Sequence, residues 1–251
     1  LARNFDVFGE NFRAGTADRL GIGYEAVRAV HPAVVYLSVS GFGQDPSSPY
    51  RDMGAYASIV EGMSGIYEFK RAPGRGPTAN PVGALGDISS ALFGTVGVLA
   101  ALRQRDRTGI GQHVDVAMLD ATVAMTDIVV NFFSMGIERE WGSGVGIVDT
   151  FAASDGHFVL QCVREHHFAV LCTEIGRPEL VEDHRLSTRA GWQDQLDGLL
   201  RPAIEAWSAN RTTAEAVSVL SGAGMACGPS ATPGQVVADP HLAVRNMLVE
   251  T

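Results

Sequence analysis

The chain has 251 residues, 46% of them apolar, and a formal net charge of −9 at neutral pH. That length buries one large core or two modest ones, and the summed negative field repels a phosphate backbone, which excludes nucleic acid as a partner unless a local basic patch overrides it. No unbroken apolar run reaches the ~18 residues of a membrane-spanning helix, and the opening Leu1-Ala2-Arg3-Asn4-Phe5-Asp6 lacks the regions of a signal peptide; a soluble cytoplasmic protein with no membrane partner is the expectation.

In chain order, Tyr24 to Val30 reads as a short helix stopped by His31-Pro32, because the residue before a proline is pushed out of the helical region. The apolar run Ala33 to Ser40 predicts a buried strand feeding the loop Gly41-Phe42-Gly43. Helix then strand is the pattern of an α/β layer. Between Asp45 and Pro81 glycine and proline recur, with one helical interval around Ala55 to Met63 and loop composition over Arg71 to Pro81. From Asp87 onward, Ile88, Ala91, Leu92, Val96, Leu99 and Leu102 recur at helical spacing. Thr108-Gly109 ends that helix, and Arg103, Arg105 and Arg107 cluster where its dipole favours cations. His113 to Met118 alternates, predicting a strand with Val114, Val116 and Met118 on one side, and Asp120 to Met135 predicts a further helix.

Glycine dominates Trp141 to Gly146, and beyond Thr150 a strand-like Gly156 to Leu160 is followed by several amphipathic helices. These changes place a domain boundary near 140 to 150, dividing a larger domain (1–145) from a smaller one (146–251). An α/β domain that opens on a helix and one strand is short of the parallel strands its sheet needs, so the sequence is expected to lack its beginning.

Few motifs carry chemistry. Cys162, Cys172 and Cys227 show neither a CxxC spacing nor an even count, which argues against a disulfide framework or a zinc knuckle. Cys227, in the turn-rich Gly224 to Pro229, would serve as a nucleophile only with a histidine near it in space. Glu165-His166-His167 holds adjacent imidazoles that point apart on either a strand or a helix, so they read as surface histidines and not as metal ligands. Gly142-Ser143-Gly144-Val145-Gly146 neither follows a strand nor opens a helix and is a connector, not a dinucleotide loop. Asp87 follows the turn Gly83-Ala84-Leu85-Gly86 at the start of the longest helix. Aspartate there serves as a favoured N-cap, or, ionised, as a covalent nucleophile.

Three blocks decide between those roles. They are Asp6-Val7-Phe8-Gly9-Glu10-Asn11-Phe12-Arg13-Ala14-Gly15, then Ser38-Val39-Ser40-Gly41-Phe42-Gly43, then Gly86-Asp87 with Gly97 to Leu102, Arg105 and Thr108 to Val116. In this order they resemble the signatures of the class III CoA-transferases, the group of formyl-CoA and carnitine CoA-transferases. The resemblance is strong over residues 1 to about 140. It is weak over 150 to 251, through Ser154-Asp155-Gly156-His157 and Gly224 to Pro229. Against that family the chain is expected to be truncated at both ends.

The resemblance implies a Rossmann-like large domain, a smaller α+β domain and an interlocked homodimer. It implies an enzyme that moves coenzyme A from an acyl-CoA to a carboxylic acid, with no tightly bound cofactor and no metal. By position, Asp87 matches the family's nucleophile. Asn11, Phe12, Arg13, Thr16, Arg19 and Leu20 match the stretch lining its CoA site, Met118 another CoA-contacting position, and Tyr56 a tyrosine near the acyl group. Arg13 and Arg19 are then expected to pair with CoA phosphates, and the Trp141 to Gly146 segment to act as a lid. The racemase branch of the superfamily has a histidine where this chain has Asp52, in Asp52-Met53-Gly54-Ala55-Tyr56, which makes α-methylacyl-CoA racemization the alternative activity. A non-catalytic CoA-binding protein is the alternative from another class.

Overall fold

In a computed structural model, which describes residues 4–68, 76–77, 84–135 and 146–248, the chain divides into two units, Leu1–Glu138 and Arg139–Thr251. The first is built on a parallel sheet of β1 (Val7–Glu10), β2 (Val35–Ser40) and β3 (His113–Ala117), in that spatial order, with Val7 opposite Val35 and Tyr36 opposite His113. The run predicted over Ala33 to Ser40 is thus the central strand, as its continuous apolar character requires of a strand covered on both faces. The strand β1 escapes sequence reading: four residues with a glycine inside and no buried member give no periodic signal.

Among the described residues of this unit are six α-helices: α1 (Thr16–Arg19), α2 (Tyr24–Val30), α3 (Ala57–Met63), α4 (Leu85–Thr108), α5 (Met118–Met125) and α6 (Asp127–Ser134). The helix α2 has the predicted bounds, and its Val27 packs with Val34 and Tyr36 beneath Phe8 and Tyr24. Tyr36 stacks on Phe8 at 5.0 Å, and its hydroxyl donates to the Ile22 carbonyl at 2.8 Å. Burial, with Glu10 and Asp18 adding negative charge, pushes that phenol up to about 12.

Sequence and structure part company at several points. Met118 is not the last residue of a strand. It opens α5, because the Leu119 amide donates to the Gly41 carbonyl at 3.1 Å and turns the chain out of the sheet. The single helix expected over Asp120 to Met135 is two, broken at Thr126, whose hydroxyl bonds the Val123 carbonyl at 3.1 Å. The interval expected from Ala55 becomes helical only at Ala57. The connector Gly142 to Gly146 and the lid expected over Trp141 to Gly146 lie, except for Gly146, outside the described residues, as does most of Arg71 to Pro81.

The helix α4 is 24 residues long. It ends at Gly109, which adopts φ 73°, a left-handed conformation that costs glycine nothing. The apolar stripe that marks it as a helix is not the face it buries: Val96 and Leu99 are 66% and 61% exposed. It buries its small residues instead, Ser89, Ser90, Gly94 and Ala101. A Cβ on Gly94 would lie 3.3 Å from Leu37 and one on Gly97 would lie 2.7 Å from Val114, so these glycines let the helix lie close on β2 and β3. By length and composition α4 is apolar enough to cross a membrane, although no unbroken apolar run in the sequence reaches ~18 residues; its packing is that of a layer covering a sheet.

The second unit is an antiparallel sheet of β4 (Ile147–Ala153), β5 (Gly156–Cys162) and β6 (Ala226–Pro229), in that order, with helices α7 (Glu165–Glu174), α8 (Arg189–Asp194), α9 (Arg201–Ser208) and α10 (Thr213–Gly222). The short α11 (Pro233–Val237) and α12 (Pro240–Val244) follow. Its core is one continuous cluster in which Phe151, Phe158, Leu160, Leu171, Ile204 and Leu220 are wholly buried. Each such side chain contributes about 1.5–3 kcal/mol. Phe168 stacks on Trp192 at 4.4 Å, and the indole N–H donates to the Leu186 carbonyl at 2.7 Å.

Candidate functional site

Parallel strands gather the residues that follow their C-terminal ends along one edge of a sheet, where α/β proteins characteristically bind ligands. In the first unit β1 ends at Glu10 before Asn11, Phe12 and Arg13, β2 ends at Ser40 before Gly41 and Phe42, and β3 ends at Ala117 before Met118. All of these line one cleft of about 520 Å³, completed by Tyr56 at the start of α3 and Asp87 in the first turn of α4. Six of the residues singled out in the sequence therefore meet: Asn11, Phe12, Arg13, Tyr56, Asp87 and Met118. Thr16, Arg19 and Leu20 lie on and just beyond α1, outside the cleft lining.

Asp87 is not the N-cap. The cap is Ala84, in a left-handed conformation at φ 57° with no side-chain acceptor, and Asp87 is the third residue of α4. The capping role is displaced, and the carboxylate is exposed, borders the cleft and makes no hydrogen bond or ion pair among the described residues. The helix dipole favours a negative charge in that turn. A charged, unpartnered carboxylate at a cleft is available to attack an electrophile.

The loop after β2 is tied on both sides. The Gln44 amide donates to Asp115 Oδ2 at 2.8 Å, and Gln44 Oε1 accepts the Gly15 amide at 3.3 Å. These bonds fix the Asn11 to Gly15 turn against the end of β3. Phe12 is held by its own amide, which donates to Glu10 Oε2 at 2.8 Å.

Sequence reading missed Arg51. It lines the cleft, its Nε is buried without a hydrogen-bond partner, and its Nη2 lies 3.3 Å from the point where a Cβ on Gly15 would stand. Arg19 Nη1 lies 3.7 Å from the same point, while Arg13 Nη2 lies 2.6 Å from the corresponding point on Gly54. None of the three has a carboxylate partner among the described residues. In a chain of charge −9, three guanidiniums without a carboxylate partner among the described residues lie near this turn and Gly54, and the planar fork of each suits phosphate and carboxylate oxygens. Arg51 gave no signal because nothing local marks an arginine in a turn-rich segment as facing a distant one.

The other candidates stay outside this chemistry. Cys227 is pushed up to about 11 by burial, which removes the thiolate it would need. Cys162 and Cys172 are buried free thiols raised to about 12 and about 11. His166 and His167 meet edge to face at 4.1 Å at the start of α7, and no cluster of three or more metal-ligating side chains occurs among the described residues.

Comparison with known proteins identifies the family. The family model described as CoA-transferase family III matches residues 1–251. The chain is 34% identical to the acetyl-CoA:oxalate CoA-transferase of Acetobacter aceti, covering 100% of this chain and 65% of that protein. It is 32% identical to the succinyl-CoA--D-citramalate CoA-transferase of Chloroflexus aurantiacus, covering 99% and 62%. It thus spans less than two thirds of the length of these relatives. A crystal structure of a CAIB/BAIF family protein from Brucella suis, 29% identical, superposes with a TM-score of 0.83 over 99% of this chain and 66% of that one. With the sequence matched from end to end and the fold shared with a solved member, the chain belongs to CoA-transferase family III.

Proposed function

We propose that the protein to which this chain belongs moves coenzyme A from an acyl-CoA to a carboxylic acid, with Asp87 as the covalent nucleophile. The observation that carries this reading is the Asp87 carboxylate bordering a cleft lined also by Arg13 and Arg51, none of the three in an ion pair among the described residues. An Asp87 oxygen attacks the acyl carbonyl, the carbon–sulfur bond breaks, and the products are a mixed anhydride and CoA thiolate. The thiolate attacks the Asp87 carbonyl and expels the donor as its carboxylate, leaving an aspartyl-CoA thioester. The acceptor carboxylate attacks that thioester and expels the thiolate; the thiolate then attacks the acceptor's acyl carbon and returns Asp87 to its free form. Each bond formed replaces one broken, and no net proton is consumed. Relatives named for acetyl-CoA and oxalate, or for succinyl-CoA and D-citramalate, support short acyl groups and small carboxylic acids as the substrate class.

Racemization needs a second group to move the α-proton, and no histidine lines the cleft among the described residues. Full-length protein given a 2-methylacyl-CoA in heavy water is expected to incorporate no deuterium above the uncatalysed rate. Given an accepted acyl-CoA it is expected to show a hydroxylamine-sensitive mass increment on Asp87. Rapid α-deuteration with no adduct would reverse the assignment.

The CoA phosphates are assigned to Arg13, Arg19 and Arg51. Replacing Arg51 or Arg13 with alanine is expected to weaken CoA binding about tenfold at low salt, and less as ionic strength rises, because ions screen exposed pairs. Calorimetric titration across a salt series checks this, and binding constants that do not respond to salt would remove the phosphate role.

A further inference from the structure

Glu61, in α3, is 1% exposed. A carboxylate is costly to bury unless its oxygens are satisfied. No cation pairs with it among the described residues. Its Oε1 accepts the Gly86 amide of α4 at 3.2 Å, and its Oε2 accepts the Tyr67 hydroxyl at 2.9 Å. The cap residue Ala84 has no side chain to accept from the first turn, so Glu61 supplies from another helix what a capping side chain would. On the other side of the same residue, the Gly86 carbonyl accepts the hydroxyls of Ser90 at 2.6 Å and Ser89 at 3.1 Å, both buried. Gly86 is held through its amide and its carbonyl, whereas the neighbouring Asp87 side chain has no hydrogen-bond or ion-pair partner among the described residues to aim it.

We infer that Glu61 is a positioning residue for Asp87: by holding the Gly86 amide, with Tyr67 fixing its second oxygen, it sets the direction from which the carboxylate meets an acyl-CoA. This rests on the nucleophile reading above. Its test is single-turnover formation of the Asp87 adduct in full-length protein, set beside CoA affinity and hydrogen exchange of the Gly86 amide. Glu61→Met is expected to slow adduct formation about 30-fold or more, since a displacement near 1 Å costs up to ~100-fold. CoA affinity stays within about threefold, and the Gly86 amide exchanges faster. Glu61→Gln, whose carbonyl oxygen still accepts from Gly86, restores the rate to within about threefold of the unsubstituted protein. A wild-type rate in Glu61→Met, or a Gln variant as slow as the Met variant, overturns the inference. Should Glu61→Met fail to fold, Tyr67→Phe decides: adduct formation slowed roughly three- to tenfold with CoA affinity unchanged supports it, and an unchanged rate overturns it. Absence of any adduct on Asp87 in the unsubstituted protein defeats the nucleophile reading and this inference with it. An adduct there together with a wild-type rate in the Glu61 variant defeats this inference alone.

Discussion

Asp87→Ala is expected to lower CoA transfer by on the order of a thousandfold or more while the protein stays folded, because in the proposed mechanism it removes the nucleophile and little else. The structural cost is small. Asp87 caps nothing, so its contribution to stability is the favourable placement of a negative charge in the first turn of α4, worth about 0.3–1 kcal/mol. Asp87→Asn separates charge from shape, since the carboxamide fills the same space and cannot form the anhydride. Steady-state transfer, thermal unfolding and adduct mass on all three proteins check the assignment, and residual turnover within tenfold of wild type in Asp87→Ala would sink it.

The second large effect is expected at the residue before it. A Cβ on Gly86 would stand 2.7 Å from Val60 Cγ2 and 3.2 Å from the Ala57 Cα, and the second neighbour is backbone that cannot rotate away. In an exposed helix, glycine to alanine gains about 1 kcal/mol from propensity, whereas overpacking costs about 1–3 kcal/mol. Overpacking wins in Gly86→Ala, with a net loss of up to about 2 kcal/mol. The loss of activity is larger than that implies: α4 relieves the clash by moving away from α3, carrying Asp87 with it, and transfer is expected to fall on the order of 100-fold. Gly222→Ala is the comparison, since nothing lies within 4 Å of the added Cβ, and it is expected to keep full activity and to gain up to about 1 kcal/mol of stability. Denaturant unfolding and steady-state kinetics on the two variants test the contrast. A Gly86→Ala protein that gains stability and keeps full activity would show that the helices do not meet as described.

The parts of the fold that were legible from sequence carry their signals locally. The helix Tyr24–Val30 was readable residue for residue because Pro32 stops it within two positions, and the strand Val35–Ser40 because a β-branched run ending in glycine has few alternatives. The blocks that carry the family resemblance include Asp87 and Arg13, which the structure brings into one cleft. Where the expectation failed, the deciding partner was distant in the chain. Met118 leaves the strand because its neighbour's amide finds the Gly41 carbonyl. Asp87 lost its capping role because Ala84 takes the cap position and Glu61, 25 residues before Gly86, accepts the orphan amide. The apolar stripe of α4 identified a helix correctly, but periodicity reports only that such residues share a face, and here the small residues on another face make the close approach to the sheet.

By itself, then, the sequence determined the α/β character, the family and the identity of an aspartate with chemical prospects, because each of these is written in patterns a few residues long. The tertiary structure alone decided that Asn11, Arg13, Arg51, Tyr56, Asp87 and Met118 share one cleft and that a buried glutamate braces the turn before Asp87. The physical reason is that parallel pairing of β1, β2 and β3 brings strand ends to one edge whatever their separation along the chain, and a hydrogen bond acts between neighbours in space without leaving a trace in the spacing of the residues that make it.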